Sequence, residues 1–256
     1  MTVLIISCHP DDAEFMMTGT ALLLKQAGCQ IHYITIANGS AGSATMGPAQ
    51  IVKVRRAEAM KAAALLGAVF HESLVDDLEV FYTQELIRQV TALVRRVMPD
   101  IVLTQSLEDY MEDHMNAGRI AVTATFLRGV QNYRSVPHEP AILNDVMLYH
   151  ATPHILTDQL RRPIVPEMYV DISSVIEEKE KLLVCHESQK DWLDATQGFD
   201  SYVRTMRDAA QTLGRMSGRY VFAEGWRRHS HVGFSRKDSN PIADLLAERC
   251  LMRPAG

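Results

Sequence analysis

Residues Val3-Leu4-Ile5-Ile6-Ser7-Cys8-His9-Pro10-Asp11-Asp12 decide how this chain is read. Four consecutive apolar residues form a short uninterrupted run, the pattern of a strand buried on both faces of a parallel sheet. The polar loop after it then lies at a strand's carboxyl end, where ligands bind in open parallel sheets. This loop lacks the glycines that let a backbone approach a pyrophosphate, which excludes a dinucleotide-binding turn. It offers one imidazole and two carboxylates within four residues, His9 to Asp12. His9 and Asp12 are close enough to ligate one ion if the turn is tight. The alternative is that Asp12 caps the following helix and His9 hydrogen-bonds within the loop.

The alternation continues outward from that stretch. Helical spacing covers Glu14–Gly28, Ile51–Leu66, Thr83–Val97 and Asn116–Leu127, with Gly67 and Pro99 as stops. Strands are predicted at Ile31–Ala37, Ala68–Phe70 and Asp100–Thr104, and a small-residue loop runs from Asn38 to Ser43. Strands separated by helices indicate a parallel α/β sheet with right-handed crossovers. Further on, Val146–Tyr149 and Met168–Ile172 read as strands, and Ser173–Cys185 and Asp200–Leu213 as helices. No repeat or low-complexity tract divides the chain. One domain over residues 1–256 is expected, with a core of about 1–135 and a C-terminal portion, about 136–256, that covers or extends the sheet.

Composition narrows the function. The 256 residues carry 26 Lys+Arg against 31 Asp+Glu, a formal charge of -5, which argues against a general nucleic-acid binder. The longest apolar runs, such as Ala62–Leu66, fall far short of the ~20 residues of a membrane span. No cationic stretch precedes the first apolar run, so the expectation is a cytoplasmic protein without a signal peptide. The four cysteines, Cys8, Cys29, Cys185 and Cys250, are too scattered for a zinc knuckle, a redox dithiol or a disulfide framework.

A second polar cluster, Glu108-Asp109-Tyr110-Met111-Glu112-Asp113-His114, follows the strand Ile101–Leu103. Alone it reads as a solvated acidic loop opening a helix. On the same sheet edge as the first loop, it brings His114 toward His9 and Asp12. Two histidines and a carboxylate with positions left for water make a catalytic zinc site, and equally suit ferrous iron.

These motifs together resemble the PIG-L/LmbE family of metal-dependent de-N-acetylases. His9-Pro10-Asp11-Asp12 is similar to the family hallmark, and Gly39–Gly42 to its small-residue loop. Arg55-x-x-Glu58 with Leu66-Gly67, and Asp113-His114 with Gly118, resemble two further motifs. His186-Glu187-Ser188-Gln189 and Ala223-Glu224-Gly225-Trp226 resemble weaker signatures, so the likeness spans roughly residues 3–227. It implies a Rossmann-like three-layer α/β sandwich with a mostly parallel sheet and a C-terminal extension over the strand ends.

The resemblance also implies a function and a set of roles. His9, Asp12 and His114 would bind Zn2+, and Asp11 would be the general base toward a water on the zinc. Arg55 would contact the polar head of an N-acetylglucosamine-containing conjugate. Asp113 is placed with Arg55 on the substrate side, or behind a metal-bound imidazole that it orients. One position departs from the family: Met111 stands where many members have a histidine that polarises the acyl oxygen, and a thioether has no proton to donate. Tyr110 or His186 is expected to take that task, or the zinc to carry most of it. The expected activity is N-deacetylation of an amino-sugar conjugate, with a homo-oligomer left open. The rivals are a deacylase of a non-sugar amide, a catalytically silent metal-binding protein and a ferrous oxygenase. The run Trp226-Arg227-Arg228-His229-Ser230-His231 reads as a surface charge cluster or, failing that, an anion site.

Overall fold

The alternation of Val3 and Ile5 against Leu4 and Ile6 sorts the first strand's side chains into two separate apolar clusters, one on each face of a sheet. In the computed structural model, which describes residues 1–190 and 202–253, that sheet has eight strands. They are β1 (Thr2–Ser7), β2 (Gln30–Thr35), β3 (Val69–His71), β4 (Ile101–Thr104), β5 (Met147–Ala151), β6 (Met168–Asp171), β7 (Ala223–Arg228) and β8 (Cys250–Met252). Their spatial order is β3-β2-β1-β4-β5-β7-β6-β8. The first five are mutually parallel, and β7, β6 and β8 extend the sheet by antiparallel pairing.

The helices are α1 (Asp12–Met16), α2 (Thr18–Gln26), α3 (Pro48–Leu66), α4 (Gln84–Val97), α5 (Glu112–Leu127), α6 (Ile176–Val184), α7 (Tyr202–Ser217) and α8 (Pro241–Leu246). Val90 and Val94 of α4 pack with Ala117 and Ala121 of α5 against Leu4, Ile6 and Val102. On the opposite face, Leu24, Ala63, Leu182 and Met206 from α2, α3, α6 and α7 join Val3, Ile5 and Leu103. This is the three-layer, mostly parallel α/β sandwich that the sequence implies. Strand order reverses about β1, with β2 on one side and β4 on the other, so their carboxyl ends frame a crevice.

Several boundaries differ from expectation. The helix predicted over Glu14–Gly28 is two helices, broken at Met17, whose backbone leaves the helical region at φ −132°. Helix α5 begins at Glu112, ahead of the predicted Asn116, so His114 sits in its first turn. The basic run is largely a strand: Trp226 of β7 is fully buried, and Arg227 and Arg228 pair with Glu108, Glu167 and Asp238 at 2.7 to 3.1 Å. It is a set of paired surface charges. The helix expected from Asp200 is described from Tyr202 onward, and Asp200 lies outside the described residues. No helix among the described residues is long and apolar enough to cross a membrane.

Candidate active site

The first strand delivers its loop to the crevice through a closed turn. The Asp12 amide donates to His9 O at 3.2 Å, and the His9 amide donates back to Asp12 Oδ2 at 2.7 Å. The Asp12 carboxylate is therefore turned toward His9, and its capping of α1 is not realised. Asp11 takes φ 111°, a left-handed conformation that costs a non-glycine residue about 1–3 kcal/mol and collects at functional sites. That twist gives two adjacent carboxylates different partners.

The Asp12 side gathers imidazoles. Asp12 Oδ2 is 3.4 Å from His9 Nδ1, and Oδ1 is 3.3 Å from His114 Nε2. The side-chain amide of Gln105 donates to Asp12 Oδ2 at 2.9 Å. Each imidazole has a further carboxylate at its other nitrogen: Asp113 Oδ2 lies 3.2 Å from His9 Nε2, and Asp109 Oδ1 3.2 Å from His114 Nδ1. Asp113 is itself fixed by the Leu78 amide at 2.8 Å.

That donor set fits a divalent ion. Ligand atoms of His9, Asp12 and His114 all lie within 4.8 Å of one another, and all three residues are buried. Carboxylates behind both imidazoles are what metal-bound histidines ordinarily carry, because they set the tautomer and raise basicity. Electrostatics point the same way. Burial opposes charge on both rings, yet Cys8 with Asp113 and Asp12 raises His9, and Asp12 with Asp109 raises His114, well above the ordinary histidine value. Burial likewise works against the Asp12 anion, and the two imidazoles still hold it well below the carboxylate range. The cluster asks for positive charge at its centre. A second grouping, Cys8, His9 and Asp113, shares His9 and lies against the apolar core beneath β1.

The Asp11 side has different company. Arg55 donates to Pro10 O, lies 3.4 Å from Asp11 Oδ1, and has Asp77 at 3.8 Å. The hydroxyl of Tyr202, the first described residue of α7, donates to Asp11 Oδ2. Burial, reinforced by the neighbouring Asp12 charge, raises the Asp11 carboxyl above its ordinary value despite Arg55, His186 and Tyr202. The Gly39–Gly42 loop is wrapped over Arg55. A Cβ on Gly39 would meet Arg55 Cδ at 2.4 Å, and one on Gly42 would meet Nη1 at 2.5 Å. Asp77 holds that loop through the amides of Gly39 (2.7 Å) and Ala41 (3.0 Å). Glu58 receives the backbone and hydroxyl of Ser188, and Gln189 donates to Gly42 O at 3.0 Å. The scattered sequence signatures thus interlock around one arginine.

A cavity of about 530 Å³ opens on both carboxylates. Its wall includes an arc of rings in the order Tyr202, Phe15, His154, Tyr110, His114 and His9, with successive centroids 4.9 to 5.5 Å apart. Of the residues expected from sequence, His9, Asp11, Asp12, Arg55, Tyr110 and His114 line this cavity, and so does Met111. Asp113 is not in the lining; its contacts are with His9 and the Leu78 amide. Nor is His186, whose fully buried ring stands 3.5 Å from Glu14. Sequence reasoning passed over Tyr202, His154, Gln105 and Asp77. His154 follows the fifth parallel strand and Asp77 lies just beyond the third, so the carboxyl-end rule points to both. Tyr202 has no such local signal.

With this geometry established, likeness to known proteins becomes informative. The stretch from residue 4 to residue 125 matches the GlcNAc-PI de-N-acetylase family, PIG-L. Residues 4–125 are thus the part of the chain that is similar to that family. They contain both polar loops and every expected site residue except His186. The chain is 28% identical over 235 residues to diacetylchitobiose deacetylase of Thermococcus kodakarensis, covering 88% of this chain and 82% of that protein. It is 27% identical over 234 residues to 4-oxalmesaconate hydratase of Pseudomonas putida, covering 88% and 87%. The crystal structure of GalB, the 4-carboxy-2-hydroxymuconate hydratase of Pseudomonas putida KT2440, superposes with a TM-score of 0.74 at 25% identity, covering 93% of this chain and 98% of that one. The proteins to which this chain is similar thus include a deacetylase and a hydratase.

Proposed function

We propose that this protein is a zinc-dependent hydrolase that removes the N-acetyl group from an N-acetylglucosamine-containing conjugate. The observation that carries the reading is the split of Asp11 from Asp12. One carboxylate faces the two imidazoles, while its neighbour faces Arg55, Tyr202 and the cavity. The PIG-L match and the deacetylase relative support the choice of an N-acetyl substrate.

His9, Asp12 and His114 would hold the ion, Zn2+ or Fe2+, which when bound supplies a Lewis acid for the carbonyl oxygen and for the attacking water. The protein's own part is proton transfer and positioning. Asp11 takes the proton of the attacking water, and its raised pKa brings its basicity toward working pH. Arg55 and Tyr202 each engage one oxygen of Asp11, which fixes the plane of the carboxylate. After the C–N bond breaks, protonated Asp11 returns the proton to the leaving amine, giving acetate and a free amino sugar. Phe15 and Tyr110 offer apolar faces on which a sugar ring or a ring-bearing aglycone can stack.

A second reading has its own observation: two of the relatives above are hydratases. The same base and the same ion would activate water toward a conjugated double bond. The test offers the metal-loaded protein N,N′-diacetylchitobiose, para-nitrophenyl N-acetylglucosaminide and an unsaturated dicarboxylic acid. Acetate and primary amine appearing in equal amounts from an amide support the proposal. Loss of the double bond's absorbance with no acetate from any amide would replace it with the hydratase.

A further inference from the structure

Negative charge that builds on a carbonyl oxygen needs a donor that is not already committed. Most polar groups in the cavity are committed. Arg55 serves Pro10 O and Asp11, Tyr202 serves Asp11, Gln189 serves Gly42 O, and Asp77 serves the Gly39 and Ala41 amides. Met111, beside His114 in sequence space on the same wall, offers a thioether with nothing to donate. His186 is fully buried and lies outside the lining.

His154 remains. It is half-buried, its ring is held between Phe15 at 5.4 Å and Tyr110 at 5.5 Å, and it lines the cavity. Neither ring nitrogen hydrogen-bonds to a described residue, although the ring is packed on both sides. Tyr110 bridges it to His114, since it touches both rings at 5.5 Å. Burial holds the imidazole below its ordinary value, which keeps it neutral with one N–H to give.

We infer that His154 is a catalytic residue that donates its ring N–H to the acyl oxygen as the tetrahedral intermediate forms. The inference rests on the deacetylase reading. In the step, the water oxygen bonds to the acyl carbon and its proton goes to Asp11. The carbonyl π pair moves onto oxygen, where the His154 N–H holds it. Collapse re-forms the carbonyl, breaks the C–N bond and sends the Asp11 proton to nitrogen, so His154 ends as it began.

The experiment measures acetate release from the two amide probes by wild type, His154→Ala, His154→Gln and Tyr110→Phe, with metal content and melting temperature of each. For His154→Ala the expected result is a fall in kcat of about 10²-fold, as for loss of an oxyanion donor, with KM and metal content little changed. Imidazole added to the buffer should restore part of that activity, and His154→Gln, which keeps an N–H, should lose less. Undiminished turnover in His154→Ala overturns the inference, as does a loss that imidazole does not relieve and that accompanies lost metal. A larger kcat loss in Tyr110→Phe assigns the donor to Tyr110 and overturns it also. No acetate from wild type overturns the deacetylase reading and this inference with it, an outcome visible before any variant is made.

Discussion

The two halves of the cavity are built in opposite ways. The metal-facing half draws its residues from two short stretches, His9–Asp12 and Asp109–His114, each at the carboxyl end of a central parallel strand. The facing wall draws Phe15, His154, Gln189 and Tyr202 from four separate elements or loops, three of them after the last parallel strand in the chain. Groups that must share one ion need sub-ångström positioning, which a strand-end turn and a helix's first turn provide. Groups that contact a substrate tolerate looser origins, because packing of ring on ring places them. On the proposed reading the dense half would hold the ion, and the dispersed half would position the base and the substrate.

Substitutions can break this contrast in order of effect. His114→Ala removes an ion ligand from the dense half, and purified protein should lose its metal and with it all measurable turnover. Asp113→Asn and Asp109→Asn leave the ligands in place but weaken the carboxylates behind them. Metal affinity should fall about 10–100-fold in a chelator competition. Tyr202→Phe, on the dispersed side, removes one hydrogen bond to Asp11 and leaves the metal untouched. Hydrogen bonds to charged groups contribute about 1.5–3 kcal/mol, so kcat should fall about 10–100-fold with metal content constant. If Tyr202→Phe instead releases metal, the division between the halves fails.

Smaller effects sharpen the picture. Gly39→Ala places a Cβ 2.4 Å from Arg55 Cδ at φ +83°, both unfavourable, and should cost about 1–3 kcal/mol in urea unfolding. Smallest is a pH effect away from the cavity. Burial pushes His150 down to about 4, its Nδ1 facing Gln105 O at 2.8 Å and its Nε2 facing His229 at 3.1 Å. The unfolded chain takes up that proton near pH 6.5, so the stability contributed by neutral His150 is full above this pH. It is lost as pH falls toward about 4, by up to about 3 kcal/mol. In chelator-treated protein, His150→Gln should flatten this part of the stability profile; an unchanged slope would assign it to other groups.

Much of this was legible from residues alone, and the reason is local. The run Val3–Ile6 has the pattern of a strand buried on both faces, which located the first loop at a carboxyl end. A polar cluster after the next central strand located the second. The departures have physical causes too. Glu112 and Asp113 at the start of α5 are favourable near a helix N-terminus, so the helix begins earlier than its apolar spacing suggests. Strand β7 hides its nature because Glu224 is buried against Lys179 and the Gly19 and Thr20 amides, a pairing no local pattern reveals. Tyr202 was out of reach for the same reason. It meets Asp11 across 191 residues, and only the packing of α7 onto the sheet brings them together.

The central claim is that Asp11 and Asp12, adjacent in sequence, do separate work. Asp11→Asn and Asp12→Asn should be compared for bound metal and for acetate release in one experiment. The account predicts that Asp11→Asn keeps its metal and loses turnover by about 10²–10⁴-fold, the range for removal of a general base, while Asp12→Asn loses the metal itself. Equal metal loss in both, or full turnover in Asp11→Asn, would contradict it.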